Sequence, residues 1–314
     1  MTKTTYTIGI VAPSLPSAGQ REHKVRAAIS YLESKGHTVL VGPSTFAVQG
    51  YKSCSAQQRA GELSALLRDP RVEMIFATTG GYNSNEILEF MDLASFAPSR
   101  KLFVGYSDCT ALSMALERYG VCVSVSGPML VDFVDWPECF DQFFLSLLSP
   151  SRELTNEAEA WEAVESGLFP IPAMQRLPNK APASIGSALA ANLSTLCLMI
   201  GTPYLPSFAQ KTLFLEYDRE EQLALPSLER FMWQLRQAGL LLNLSGLIFG
   251  ALQPSVLAEQ TSTDSLERIL TEVTAGYTYP VVYNAQFGHI YPSWVIVNGQ
   301  RVRIDPERLF IEPV

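Results

Sequence analysis

The sequence predicts an α/β protein of two units, the first a parallel sheet with helices on both faces. Three observations carry that prediction. Short apolar runs of strand length alternate with amphipathic stretches of helical length from residue 6 to 125. The alternation resumes after residue 192, beyond a stretch of different composition. The chain has 314 residues and is 47% hydrophobic, enough to bury the cores of two domains.

Each element has a local reason. Tyr6–Val11 is an apolar run that stops at Ala12-Pro13-Ser14, a first strand. Val25–Leu32 carries apolar residues three and four apart and ends near Gly36, which predicts a helix. Thr38–Val41 is a second strand, Ala56–Leu67 a helix and Val72–Ala77 a third strand. A helix is expected over Asn83–Met91. Leu102–Val104 is a strand closed by Gly105, and Ala111, Leu112, Ala115 and Leu116 mark the face of the next helix. Val121–Val125 is one more apolar strand.

Ser149–Pro182 holds Glu153, Glu157, Glu159, Glu162 and Glu165 with Pro170, Pro172, Pro178 and Pro182, and reads as a linker or a loop covering the site. The expected division is therefore an N-terminal domain over 1–150, a linker over 151–182 and a C-terminal domain over 183–314. In that last part Asn192–Ile200 is an apolar helix stopped by Gly201-Thr202-Pro203. Thr212–Leu215, Leu247–Phe249, Val281–Tyr283 and Trp294–Val297 read as strands, and Leu228–Leu240 and Ser265–Val273 as helices.

Charge and cysteine usage narrow the partners. There are 23 Lys+Arg against 31 Asp+Glu, a formal net charge of −8 with no basic run, which argues against a nucleic acid polymer or an anionic membrane as partner. No apolar run reaches the length of a membrane span. The five cysteines, at 54, 109, 122, 139 and 197, form no C-x-x-C pair and read as reduced, mostly buried thiols of a cytoplasmic protein. No metal-binding cluster and no phosphate-binding glycine motif stands in the sequence, so no cofactor and no metal is expected.

Chemistry concentrates at strand ends, where open α/β sheets bind ligands. Ser107 lies on the turn between the strand Leu102–Val104 and the following helix, a position that exposes a hydroxyl beside helix N–H groups. The match to G-x-S-x-G is partial, because Cys109 stands at the second glycine, and a helix cap by Ser107 or Asp108 explains the same residues. A serine nucleophile needs a base and an orienting acid. Of three histidines, His23 sits on a solvated helix face and His37 at an exposed strand start. That leaves His289, in a loop after a strand, with a backbone-bonded turn histidine as the other reading. Glu216 ends an apolar strand and fits the acid, with Asp218 and Glu220 as competitors and an ion pair to Arg219 as the structural alternative. Gly80-Gly81 follows the third strand, where glycines let an N–H approach a ligand beside that of Asp108, or simply make a tight turn.

Taken together these segments resemble the LD-carboxypeptidase family of serine peptidases, which includes the microcin C immunity peptidases. The matching stretches are Ile8–Ser14, Thr79–Glu86, Val104–Asp108, Ala191–Leu196, Leu213–Glu216 and Phe287–Pro292, in the family's order and across nearly the whole chain. The resemblance implies a triad of Ser107, Glu216 and His289, with oxyanion N–H groups from Gly81 and Asp108. It places Gly80, Asn83, Asn192 and Glu220 toward the substrate. It further implies a flavodoxin-like N-terminal domain, a smaller C-terminal α/β domain and a homodimer. Two departures bear on pocket shape: Ala190-Ala191 where the family usually has Gly-Gly, and Ile296-Val297-Asn298-Gly299 where Pro-x-Gly is common.

The expected function is amide hydrolysis through an acyl-enzyme on a small peptide, releasing D-alanine from a murein tetrapeptide. The alternative within the family is cleavage of an aminoacyl-nucleotide amide. The segment Gly80–Asn85 leans toward that alternative. Glu220 leans away from it, since a carboxylate repels an acidic aminoacyl group and suits an amine. Outside the family, a non-catalytic ligand-binding protein and an α/β-hydrolase esterase are the rivals.

Overall fold

The computed structural model describes residues 5–136, 138–149, 151–157, 159–162, 168–218, 224–261, 263–305 and 308–312. The chain divides into two units, Met1–Leu148 with Pro203–Pro206, and Ser149–Thr202 with Ser207–Val314.

In the first unit five strands pair in parallel, in the spatial order Val123–Ser126, Leu102–Val104, Met74–Ala77, Thr7–Val11, Thr38–Val41. This is the flavodoxin-like order expected from the resemblance. Successive connections run one way from Thr7–Val11 and the other way from Met74–Ala77, so the loops leaving these two neighbours diverge and open a crevice at their carboxyl ends. Val11 is paired with Ala77, so residues 12–15 and 78–83 share that edge. Ile8, Ile10, Ile75, Phe76, Phe103, Val104 and Val125 have no exposure, as a sheet covered on both faces requires. Helix Ala56–Arg68 starts in a reciprocal cap between Ser55 and Gln58. The helix expected over Asn83–Met91 is a 3₁₀ helix, Ser84–Phe90, and the Asp108 carboxylate holds the N–H groups of Asn83 and Ser84 at its start. A helix not anticipated, Glu138–Leu148, brings Phe140 and Phe143 onto Phe76.

The second unit is centred on four parallel strands, Ser184–Asn192, Lys211–Glu216, Gly246–Gly250 and Val281–Ala285. Antiparallel strands extend it: Arg301–Ile304, Leu309–Glu312 and Arg152–Glu153 beyond Ser184–Asn192, and Gln175–Arg176 beyond Val281–Ala285. The segment expected as a linker, 151–182, thus supplies both edges of this sheet. Strands Glu159–Glu162 and Leu168–Pro170 also form a three-stranded sheet with Ile290–Tyr291. Residues 149–182 therefore belong to the second unit, which is no smaller than the first. Ser184–Asn192 was not legible as a strand because its small residues have weak strand preference. Ala188, Ala190 and Ala191 nevertheless lie buried at its centre.

All five cysteines are buried free thiols. Among the described residues no helix is long and apolar enough to cross a membrane.

Candidate active site

The chemistry divides between the units. In the first, the strand Leu102–Val104 runs through Gly105 and Tyr106 into a 3₁₀ turn, Ser107–Cys109, and the helix Thr110–Tyr119. Ser107 has φ of 58°, left-handed backbone that costs a non-glycine residue about 1–3 kcal/mol. Such backbone, with no side-chain cap bond from Tyr106 or Cys109, fits the sharp turn read from the sequence better than an ordinary helix cap. Gly80 lies against it: a Cβ there would come within 3.0 Å of Ser107 Cβ and 3.2 Å of its Oγ, so no larger residue fits without moving the serine.

The Asp108 side chain is buried and locks the glycine loop to the elbow. Its Oδ2 accepts the N–H of Asn83 at 3.0 Å and of Ser84 at 2.9 Å, while its carbonyl accepts the Ser84 hydroxyl at 2.5 Å. Ser14 Oγ accepts the N–H of Tyr82 and Asn83 and donates to Asn83 Oδ1. Asn83, expected toward the substrate, is buried and takes part in this frame. The N–H groups of Gly81 and Asp108 meet no acceptor among the described residues. Cys109 is no competing nucleophile. Burial, reinforced by the charges of Asp108 and Asp132, pushes its thiol well above the usual range.

Arg59 completes this half. It was missed in the sequence, although it lies four residues before Leu63 on the apolar stripe of its helix, a placement that signals a buried charge. Its guanidinium reaches Cys54, Pro13, Asn83 and Glu86. Burial opposes ionisation of Glu86, but Lys52 and Arg59 outweigh it and hold the carboxyl below its usual range.

In the second unit Glu216 ends its strand and is 2% exposed. Its Oε2 lies 2.6 Å from His289 Nδ1, and its Oε1 accepts the Asn192 amide at 2.9 Å. Asn192 and Glu216 are direct partners across adjacent strands. Asn192 Oδ1 accepts the Thr195 N–H at 3.0 Å, capping the next helix, and the Ser194 hydroxyl at 2.8 Å. Asn192, expected toward the substrate, is buried and braces Glu216. The Glu216–His289 contact also needs Gly288, which has φ of 111° and whose Cβ would fall 2.6 Å from Glu216 Cβ. Gln253 holds the His289 carbonyl at 3.3 Å, and Asp218 Oδ2 lies 3.6 Å from His289 Nε2. With Nδ1 engaged by a carboxylate, Nε2 is the nitrogen left for proton transfer. Glu220 and Arg219 lie outside the described residues.

The other histidines divide. His23 is exposed, as expected. His37 is not: it is 8% exposed, accepts the Tyr6 N–H on Nδ1 and stacks on Tyr6 and Phe144, because the strand it precedes draws it into an aromatic cluster.

Known proteins share both halves. A family model described as the LD-carboxypeptidase N-terminal domain matches residues 8–127, and one described as its C-terminal domain matches residues 185–304. A Vibrio cholerae protein that bears a carboxypeptidase name is 28% identical over 95% of this chain and 92% of its own. The microcin C7 self-immunity protein MccF of Escherichia coli is 26% identical over 95% of this chain and 90% of its own. A structure of MccF with aspartyl sulfamoyl adenosine matches with a TM-score of 0.83 at 23% identity, over 98% of this chain and 96% of that one. A muramoyltetrapeptide carboxypeptidase of Oxalobacter formigenes matches with a TM-score of 0.77 at 25% identity, over 98% of this chain and 100% of that one.

Proposed function

The chain belongs to the LD-carboxypeptidase family, and we propose that it hydrolyses its substrate through a triad of Ser107, His289 and Glu216. Family membership decides for a peptidase over a ligand-binding protein or an esterase. The observation that carries the triad is the buried carboxylate–imidazole contact of 2.6 Å, seated by Asn192. Ser107 stands in the other unit, and joining it to His289 is part of the proposal.

In this reading Ser107 Oγ attacks the amide carbonyl carbon while His289 Nε2 takes its proton. Glu216 holds the Nδ1–H and stabilises the imidazolium. The N–H groups of Gly81 and Asp108 receive the oxyanion. Collapse of the tetrahedral intermediate passes the proton from Nε2 to the leaving amine. Water, deprotonated by the same nitrogen, then frees the acyl group from Ser107.

The proposed substrate is a murein tetrapeptide, with release of its terminal D-alanine. Asp218, a carboxylate beside Nε2, adds to the case made by Glu220 against an acidic aminoacyl group. The second reading, an aminoacyl-nucleotide amide, is favoured by the Gly80–Asn85 segment and by the ligand that MccF holds. Wild type and Glu220→Lys assayed on a tetrapeptide and on an aspartyl-nucleotide separate the two. D-alanine release by wild type, with Glu220→Lys gaining on the nucleotide, is expected. Efficient wild-type cleavage of the nucleotide without D-alanine release would reverse the order.

A further inference from the structure

Arg59 is an arginine with no exposed side-chain surface, on the inward face of the helix Ala56–Arg68 beside Ala60, Leu63, Leu66 and Leu67. A buried guanidinium is tolerated when its donors are matched. Here Nε donates to the Cys54 carbonyl at 3.1 Å. Nη1 donates to the carbonyls of Pro13 at 2.5 Å and Asn83 at 2.9 Å, and Nη2 to Glu86 Oε2 at 2.8 Å. Three of the four acceptors are main chain, and they come from three separate segments: the loop after the first strand, the approach to the helix, and the glycine loop. Only a planar fork reaches acceptors in such directions at once; an ammonium radiates its donors from a single point.

The glycine loop is thereby held from both sides. Arg59 fixes the Asn83 carbonyl, while Ser14 Oγ and Asp108 Oδ2 fix the Asn83 N–H. Gly81 lies two residues upstream. We propose that Arg59 is a positioning residue that sets the aim of the Gly81 N–H at the oxyanion. The proposal rests on the reading of Ser107 as nucleophile and Gly81 as donor. An oxyanion donor acts in the transition state, so a misaimed one lowers kcat and leaves substrate binding nearly intact. Glu86 has the different task of neutralising the guanidinium. It is 36% exposed, is shared with Lys52, and holds no part of the loop through its carboxylate.

The test compares Arg59→Lys with Glu86→Gln on whichever of the two compounds the wild type cleaves. Arg59→Lys is expected to keep its fold, lose about 10²-fold in kcat and hold KM within about threefold. Glu86→Gln is expected to keep kcat within about threefold while melting at a lower temperature. A kcat of folded Arg59→Lys within threefold of wild type, a loss carried in KM, or an equal loss in Glu86→Gln would each overturn the proposal. Should Arg59→Lys fail to fold, Arg59→Gln, which keeps one planar donor, decides by the same split. A kcat loss at steady KM upholds the proposal, and an unchanged kcat or a loss carried in KM refutes it. Failure of the wider reading shows separately, as hydrolysis that survives Ser107→Ala.

Discussion

Around Ser107 the fixed element is main chain; around His289 it is a line of side chains. Ser107 sits on strained backbone, and its neighbours are held by bonds to carbonyls and amides from Arg59, Ser14 and Asp108. The imidazole is held by a relay of single contacts, from the Asn192 amide to the Glu216 carboxylate to Nδ1. A frame of many main-chain bonds spreads the loss of any one of them. A relay of single bonds passes each loss directly to the last member. The contrast suits the proposed tasks, since an oxyanion hole must stay still while an imidazole must exchange protons.

The largest expected effects test whether the two halves serve one reaction. Ser107→Ala and His289→Ala should each lower turnover by about 10⁴–10⁶, and the double variant should lose little more, because triad members act as a unit. Glu216→Gln should cost less, about 10⁴. Additive losses in the double variant, measured by steady-state kinetics, would show that the halves act independently.

A middle-sized effect opposes the halves in stability. Ser107→Gly relieves the left-handed strain and should raise stability by about 1 kcal/mol while abolishing turnover. Asn192→Ala removes a helix cap and leaves a buried carboxylate oxygen unpaired, and should lower stability by about 1–3 kcal/mol together with kcat. Urea unfolding measures both. A destabilised Ser107→Gly would mean the elbow carries no strain.

The smallest effect lies away from both halves. Burial lowers the imidazole pKa of His37 below its ordinary 6.5. The unfolded chain therefore takes up a proton near pH 6.5 that the folded chain refuses. This contribution to stability is intact above that pH, is lost as the pH falls toward the lowered value, and levels off below it. His37→Gln should flatten the stability loss between about pH 7.5 and 5.5 by less than about 1 kcal/mol. An unchanged slope would remove His37 as its cause.

What could be read from the sequence was what has a period or a chemical type. The parallel strands of the first unit stood out as short apolar runs, and Ser107, Glu216 and His289 as reactive residues at strand ends. The edge strands at 152–153 and 175–176 were hidden, since two residues carry no alternation and their pairing is decided by distant partners. Asn83 and Asn192 stood out as important residues, while their buried hydrogen-bond networks did not. An amide side chain serves a substrate or a buried network equally well, so its type alone does not reveal the network. His37 looked exposed because its aromatic partner Phe144 is far away in the chain.

The loop that carries His289 is stitched to the start of its unit. Asn156 accepts the Gln286 N–H and donates to the Asn284 carbonyl, Trp294 Nε1 donates to the Thr155 carbonyl, and Ile290 and Tyr291 pair with the strand Glu159–Glu162. These contacts join residues up to 139 positions apart. The bonds that Arg59, Ser14 and Asp108 make around Ser107, by contrast, join residues 13–108. As the chain leaves the ribosome, the serine elbow can therefore be complete while the histidine clasp still waits for the last third of the protein. With the proposed triad, the nascent chain would carry a serine without its base until synthesis is nearly finished, and order of manufacture itself would keep the half-made peptidase silent.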